Sequence, residues 1–247
     1  MKRSEMIFTL LSAATLSSCS TTSKAKIDAV ASARLRAMSA KLAAAKTLRF
    51  AAVRESSPGF TVGVTVPERA TVTGVVQRPN RVVSHATTSL GRRSFTYDGS
   101  KLTVIDRAAG THAEVASPGG IDATLSRISE TYGYMLPLSE ILANDPERFL
   151  LKGVETVTST GRETIAGRLC ERLHFVQAGF SWDLWIDAAT DLPVRVSVAY
   201  PEGSGGKPLT STATLTSLQL NASVSEAELS VTPPAESRAI EMVPIAE

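Results

Sequence analysis

The chain has 247 residues, with 26 lysines and arginines against 24 aspartates and glutamates and a net charge of +2 at pH 7. This near balance excludes the general electrostatic attraction by which basic proteins bind nucleic acid or acidic membranes. The length suits one sizeable domain, and single β-rich domains of this size are common.

The N-terminal segment indicates export. A basic start precedes an apolar run over residues 6–16, far shorter than the roughly 20 residues of a membrane-spanning helix and typical of a secretory signal. The run ends in Leu-Ser-Ser-Cys at residues 16–19, which resembles the lipobox of bacterial lipoproteins. The resemblance implies a signal peptide over 1–18 and lipidation of Cys19, and Ser20 implies the outer membrane, facing the periplasm. The alternative is an ordinary signal peptide with a chance cysteine.

The second cysteine, Cys170, has no partner for an internal disulfide if Cys19 carries lipid. We expect Cys170 to be a small buried apolar residue, with an intermolecular bridge or a reactive thiol as the alternative. The fold therefore has to be held together by a hydrophobic core without crosslinks.

A polar tether over residues 19–25 is followed by a predicted helix over 26–46. Apolar residues recur there at steps of three and four, with no glycine or proline between them, so they share one helical face. The pattern predicts an amphipathic helix that docks on the sheet of the same chain. Its apolar stripe consists of Ile27, Val30, Ala31, Leu35, Met38, Leu42 and Ala45.

After this helix the spacing of apolar residues changes to two, which is typical of β-strands. Asp98-Gly99 indicates a hairpin turn, because these residue types tolerate the positive φ of a tight turn. The alternation predicts one meandering antiparallel sheet or barrel. Its first strands are expected over 60–66, where Phe60, Val62, Val64 and Val66 alternate, and over 70–77, 81–88, 92–97, 101–106 and 111–116.

Helices interrupt the predicted sheet in the middle of the chain. Two glycines at 119–120 lead into a helical pattern over 121–132, and Pro137 opens a second, short helix over 138–144. Strands resume over 154–160, 163–166, 168–177, 181–187, 193–200 and 210–220, the first two being joined by a turn at 160–162. The whole predicts a single α+β domain over 26–235, followed by a tail over 236–247.

Catalytic signatures are missing from the sequence. It contains no Gly-x-Ser-x-Gly, no His-Glu-x-x-His, no P-loop and no Cys-x-x-Cys. The histidines, His85, His112 and His174, lie in three separate segments, which argues against a metal site. Cys170 and His174 share a strand face but lie about 13 Å apart, too far for a nucleophile and its base. We therefore expect no enzyme activity, no cofactor and no metal.

A surplus of apolar residues on the strands leaves two interpretations open. The residues fill a closed core, or the sheet curls into an open barrel whose concave face holds an apolar ligand. Asp183, Trp185 and Asp187 lie on one face of their strand and Trp182, Leu184 and Ile186 on the other. Strand parity alone does not tell which of the two faces is turned inward.

Several segments, taken in their order, resemble a family of predicted periplasmic proteins of unknown function that belongs with the LolA/LolB-like lipoprotein carriers. They are the Arg-Pro junction at 78–79, the Asp-Gly hairpin at 97–106, Leu-Pro-Leu at 136–138, and the segments 167–170, 182–187 and 192–195. The resemblance implies a strongly curved antiparallel sheet, an open and incomplete β-barrel. An N-terminal helix and the central helices would form its lid.

The same resemblance implies a non-catalytic protein that holds a hydrophobic ligand, such as acyl chains, a lipid or a lipoprotein, in the concave face of the sheet. The carriers of this class have no catalytic residues to transfer, so only a diffuse apolar lining can be nominated. The candidates for this lining are Phe60, Val62, Val64, Phe95, Leu102, Val104, Trp182, Leu184 and Ile186.

The expected partners are thus a hydrophobic small molecule or lipid and, through the anchor, a membrane, but not nucleic acid. The alternative function is a protein-binding envelope sensor or assembly module without a ligand cavity, in which an exposed patch binds envelope proteins. An enzyme, such as a hydrolase, is a third and less favoured hypothesis.

Overall fold

The computed structural model describes residues 25–61, 64–133, 138–201 and 207–245. The predicted signal peptide over 1–18, the lipidated Cys19 and all but the last residue of the tether lie outside these ranges. None of the helices within them is long and apolar enough to cross a membrane.

The predicted N-terminal helix is confirmed as α1, Ala29–Ala44. It begins where the carboxylate of Asp28 accepts a 2.7 Å hydrogen bond from the amide of Ala31, which satisfies one of the free N–H groups of the first turn. One stripe of the helix is fully buried, as the spacing predicts, at Ala31, Leu35, Met38 and Leu42. Two residues assigned to this stripe do not belong to it, because Val30 is 50% exposed and Ile27 lies before the helix.

The described residues form one sheet of thirteen strands, which contains two antiparallel meanders. The first comprises β2 (Thr47–Ser56), β3 (Glu68–Gln77), β4 (Arg81–Thr88), β5 (Gly91–Tyr97), β6 (Lys101–Asp106) and β7 (Thr111–Ala116). The second comprises β8 (Val154–Ile165), β9 (Arg168–Gln177), β10 (Phe180–Asp187), β11 (Pro193–Tyr200) and β12 (Leu209–Leu220). The meanders join where β12 pairs with β2. With the edge strands β1 (Lys26–Ile27) and β13 (Arg238–Ala239), the order across the sheet is β1-β8-β9-β10-β11-β12-β2-β3-β4-β5-β6-β7-β13.

Two-residue strands cover the two edges of the sheet. β1 (Lys26–Ile27) pairs in parallel with β8, and β13 (Arg238–Ala239) pairs in parallel with β7. The segment expected to be a C-terminal tail therefore contributes a strand.

Helices cross from one edge of the sheet to the other. The chain leaves β7 near one edge and passes through α2 (Gly120–Tyr132), α3 (Ser139–Leu142) and α4 (Pro146–Leu150) before it enters β8 near the opposite edge. This connection places α2–α4 over the inner face, defined here as the face that packs against α1. The last helix, α5 (Glu226–Leu229), packs on the outer face instead, where Leu229 contacts Val75 and Val83.

The main hydrophobic core lies between the inner face and helices α1–α4. Alternate residues of each strand enter it, for example Leu48, Phe50 and Ala52 of β2. A second, small core on the outer face contains Cys170 with Trp185. The prediction of an α+β domain built on a single open, curved and mostly antiparallel sheet is confirmed, and so is the burial of Cys170.

The strand predicted over 60–66 is wrong for its described residues. None of these residues lies in a strand, and the backbone hydrogen bonds are local, with Phe60 N donating to Ser57 O at 3.2 Å and Val64 N to Thr61 O at 3.0 Å. Prolines at 58 and 67 bracket this stretch, so its alternation of apolar residues falls in a loop. The strand that precedes it, β2, was not predicted.

The turn predicted at 160–162 is also wrong, because β8 continues through it. The pairing with β9 shifts register between Ser159 and Gly161, and Gly161 has a φ of 102°. The glycine therefore accommodates a β-bulge instead of ending a strand. The reversal comes later, at Ala166 and Gly167, where φ is 50° and 77°.

The short helix predicted over 138–144 is confirmed as α3, and the separate helix α4 that follows it was not predicted. The chain breaks between them because Pro146 cannot continue a helix but suits the first turn of a new one, which Asp145 caps by accepting from Arg148 N at 3.1 Å.

Candidate ligand-binding cavity

A cavity of about 480 Å³ lies between the inner face of β10, β11, β12 and β2 and the helices α2 and α4. Small-molecule sites span about 300–1,000 Å³, so the cavity has the size of a ligand site. Its wall is mainly apolar and includes Phe60, Leu125, Ile128, Leu138, Phe149, Leu150, Phe180, Trp182, Val196, Val198 and Ala213.

Strand register assembles this wall from residues distant in sequence. Trp182 of β10 lies opposite Val198 of β11, which lies opposite Ser211 of β12. In the next layer, Val196 of β11 lies opposite Ala213. Because side chains alternate between the two faces, each of these strands contributes every second residue to the cavity.

Trp182 is held in place on two sides. Its ring stacks on Phe175, with centroids 3.6 Å apart and an angle of 10° between the planes, and its Nε1 donates to Gln177 Oε1 at 3.1 Å. Gln177 in turn donates to the carbonyl of Lys152 at 2.8 Å. The indole therefore presents a fixed apolar surface to the cavity while its polar atom is satisfied.

Two ion pairs account for the charged side chains of the described wall, which are Arg54, Glu130 and Lys152. Arg54 pairs with Glu68, and the two side chains are 15% and 8% exposed. Lys152 pairs with Glu130 at the solvent side, where both are 58% exposed. The cavity thus has an open polar mouth and one charged pair deeper in its wall.

A polar patch surrounds the deeper pair. Arg54 lies opposite Ala213, and the next inward position, Ser56, lies opposite Ser211 of β12 and Glu68 of β3. The hydroxyls of Ser56 and Ser211 are hydrogen-bonded at 2.9 Å, and both side chains are buried. This patch is a buried polar part of the cavity wall.

Arg78 anchors the helical side of the cavity to the sheet. Its Nη1 donates to the carbonyls of Leu142 at 3.0 Å and Ala143 at 2.5 Å, and to Asn144 Oδ1 at 3.1 Å. Burial lowers the pKa of Arg78, and the nearby charge of Asp122 partly opposes that shift. The Asp122 carboxylate accepts from the amides of Asn144 at 2.5 Å and of residue 145 at 3.1 Å. The loop between α3 and α4 is therefore fixed to both β3 and α2.

The structure places the nominated residues in three different settings. Phe60 and Trp182 line the cavity. Leu184 and Ile186, together with Phe95, Leu102 and Val104, lie in or against the packed core. Val64 is half-buried outside the described lining, and Val62 lies outside the described residues.

Sequence reasoning missed most of the wall. Val196, Val198 and Ala213 follow from the alternation on their strands, once Trp182 marks the inward face and pairing is known. The contributions of α2 and α4, such as Ile128 and Phe149, could not be assigned to the cavity from the sequence, because they depend on where the helical connection crosses the sheet.

Other chemically notable side chains lie on the outer face. Asp183 accepts from Arg172 Nη2 at 2.9 Å and lies 2.9 Å from His174 Nδ1, in a network that spans two strands. Burial, followed by the charge of Asp187, raises the pKa of the Cys170 thiol, which makes it a poor nucleophile. No group of three or more metal-ligating side chains converges in the part of the chain described here.

The open, mostly antiparallel sheet and the helices over its inner face define an α+β protein with an apolar cavity of ligand size. Residues 31–243 match the family described as predicted periplasmic protein, DUF2092, and the chain belongs to that family. The family resemblance of the sequence is thereby confirmed. No curated protein matches the chain.

Several solved structures are similar to this chain at low identity. An uncharacterized conserved protein from Thermus thermophilus is 10% identical, with 86% of this chain and 99% of that chain covered and a TM-score of 0.52. The lipoprotein LppX from Mycobacterium tuberculosis is 14% identical over 78% of this chain and 96% of its own, with a TM-score of 0.47. A LolA superfamily protein from Nitrosomonas europaea is 9% identical over 81% and 97%, with a TM-score of 0.37.

Proposed function

We propose that this protein binds an acyl chain of a lipid in the cavity and holds it without chemical conversion. The observation that carries the proposal is the apolar cavity of about 480 Å³ beneath α2 and α4. Transfer of each methylene of a ligand from water into such a cavity contributes about 0.8 kcal/mol. A single chain thus supplies enough free energy for binding.

We further propose that the domain over 26–235 works in the periplasm, held by a lipid on Cys19 to the outer membrane through the tether over 19–25. The family of predicted periplasmic proteins and the lipobox-like sequence support this location. Cys19→Ser is expected to move the protein from the membrane fraction to the soluble periplasm. Continued membrane attachment of that variant would contradict the lipid anchor.

The two tryptophans of the chain allow a direct test of the cavity. Trp182 lines it, whereas Trp185, three residues further on, lies on the outer face between the guanidinium groups of Arg172 and Arg195, 5.2 and 5.7 Å from its ring. Trp185→Phe leaves the cavity tryptophan as the only indole, and Trp182→Phe leaves the outer one. The two variants form a matched pair in the same strand.

The probe is methyl dibromostearate, brominated in the middle of its chain and delivered from cyclodextrin, because bromine quenches a tryptophan only at close range. We expect saturable quenching in Trp185→Phe and little in Trp182→Phe, with circular dichroism showing that both variants are folded. Equal quenching of the two, or none in either, would refute acyl-chain binding. The protein-binding alternative would then be preferred.

A further inference from the structure

We propose that the part of the ligand held in the cavity is an uncharged acyl ester, and that free fatty-acid carboxylates are excluded. This inference rests on the proposed function and adds the chemical class of the ligand to it. It comes from the charges of the cavity wall, which are compensated within the protein itself.

The positive charges of the cavity wall already have partners within the protein. Fatty-acid carboxylates in an apolar site need a cation, since an unpaired buried carboxylate loses its hydration without compensation. The two cations in the described wall, Arg54 and Lys152, each have a carboxylate partner, Glu68 and Glu130. The described wall therefore offers a ligand no uncompensated positive charge.

Glu68 lies where it would repel a ligand carboxylate. Its side chain is only 8% exposed and holds Arg54 from the neighbouring strand. A ligand carboxylate that approached the Arg54 guanidinium would also approach Glu68, and like charges repel strongly where water is scarce. The deeper polar patch therefore disfavours an anion.

The polar patch also retains hydrogen-bond donors. Arginine has five N–H donors, and Arg54, which lines the cavity, donates to Glu68 through its Nη2. Ser211 adds a hydroxyl to the same wall. A neutral acceptor such as an ester carbonyl can use these donors without adding charge, whereas a plain hydrocarbon would leave them unused.

The test uses Trp185→Phe and two probes with the same brominated chain, methyl dibromostearate and dibromostearate, at a pH where the acid is ionised. Quenching of Trp182 gives both dissociation constants. We expect the ester to bind at least about tenfold more tightly than the acid. Equal affinity, or a preference for the acid, would overturn the inference.

Glu68→Gln in the same background reverses the electrostatic argument. It leaves Arg54 uncompensated, so the affinity for the acid is expected to rise about tenfold while that for the ester changes by less than about threefold. Glu55→Gln is the matched control, because Glu55 pairs with Arg69 across the same two strands but on the outer face, with side chains 63% and 69% exposed. The control is expected to change neither affinity.

The outcomes separate this inference from the proposed function. If neither probe quenches Trp182, acyl binding itself fails. If both probes bind equally and Glu68→Gln alters neither, acyl binding stands and the ester preference falls. Should Glu68→Gln not fold, the double variant Arg54→Met with Glu68→Met leaves no charge unpaired. It is expected to keep excluding the acid, and tight acid binding there would contradict the inference.

Discussion

At the scale of single residues, Gly74 shows how tightly the inner face is packed. It lies in the interior of β3, where a glycine weakens a strand unless something approaches closely. A Cβ at this position would lie 2.5 Å from Cζ of Phe50 and 2.6 Å from the carbonyl oxygen of Val83. The ring of Phe50 occupies the space that a side chain would take.

Gly74→Ala is therefore expected to destabilise the protein by about 1–3 kcal/mol, the usual cost of overpacking, because the Val83 contact is with backbone and cannot rotate away. Urea denaturation measures this change. Thr73→Ala, at the exposed neighbouring position, is the control and should cost less than about 1 kcal/mol. Similar urea midpoints for Gly74→Ala and Thr73→Ala would show that the strands around Gly74 can move apart at little cost in stability.

At the scale of elements, the loop between α3 and α4 decides how firmly the helical wall sits on the sheet. Arg78 reaches it from the end of β3, and Asp122 reaches it from α2. Asn144 also donates to the carbonyl of Pro79 at 2.8 Å. The loop thus connects the end of β3, the turn that follows β3, and α2.

Arg78→Met removes the charged donor and leaves the loop carbonyls without it. Hydrogen bonds to charged groups contribute about 1.5–3 kcal/mol, so exchange of the amides of Asn144 and Asp145 should accelerate on the order of ten- to a hundredfold. Arg81→Met is the control, since Arg81 lies directly after the same turn, at the start of β4, but pairs with Glu226, whose side chain is 76% exposed. Unchanged exchange in Arg78→Met would mean that Asp122 alone holds the loop.

Elements also show what the sequence could and could not predict. Alternation and the Asp98-Gly99 turn were enough for β3 to β7, nearly residue by residue. β2 was missed because its inward positions beyond Ala52 are Arg54 and Ser56, so the apolar pattern fades where the cavity's polar patch begins. The deviation from a simple strand pattern is thus part of the candidate site.

The inward parity could not be predicted for a physical reason. On β10 both faces are buried, since Leu184 enters the main core and Trp185 a smaller one on the outer face. Hydrophobicity is then equal on the two sides, and only the position of α1 and α2 in space distinguishes them.

At the scale of the whole molecule, carboxylates make the fold sensitive to acid. In the turns at Asp98, Asp106 and Asp187, burial acts to raise the pKa, but hydrogen bonds from nearby groups outweigh it and lower the pKa. On α5, the hydrogen bond from Arg49 and those from Ser225 lower the pKa of Glu228 to about 2. All four groups favour the folded state only while they are ionised.

For Glu228 the folded pKa lies below the ordinary value of 4.5, so its contribution to stability is complete above about pH 4.5 and is lost as the pH falls towards about 2. Glu228→Gln should therefore flatten the decline of thermal stability in that window. Glu155→Gln, at an exposed position, should keep the decline of the wild type. A Glu228→Gln curve parallel to the wild type would show that this carboxylate does not couple folding to pH.

The separate edges of the sheet have a consequence for the size of the ligand that the cavity can hold. In a closed barrel every strand is hydrogen-bonded to two others, and this pairing fixes the diameter of the barrel. In the part of the chain described here no strand pairing joins β1 to β13. Between these two edges the inner face is covered by α2, α3 and α4. Backbone hydrogen bonds therefore do not fix the separation of these two edges, and a change in that separation would leave every pair of neighbouring strands intact.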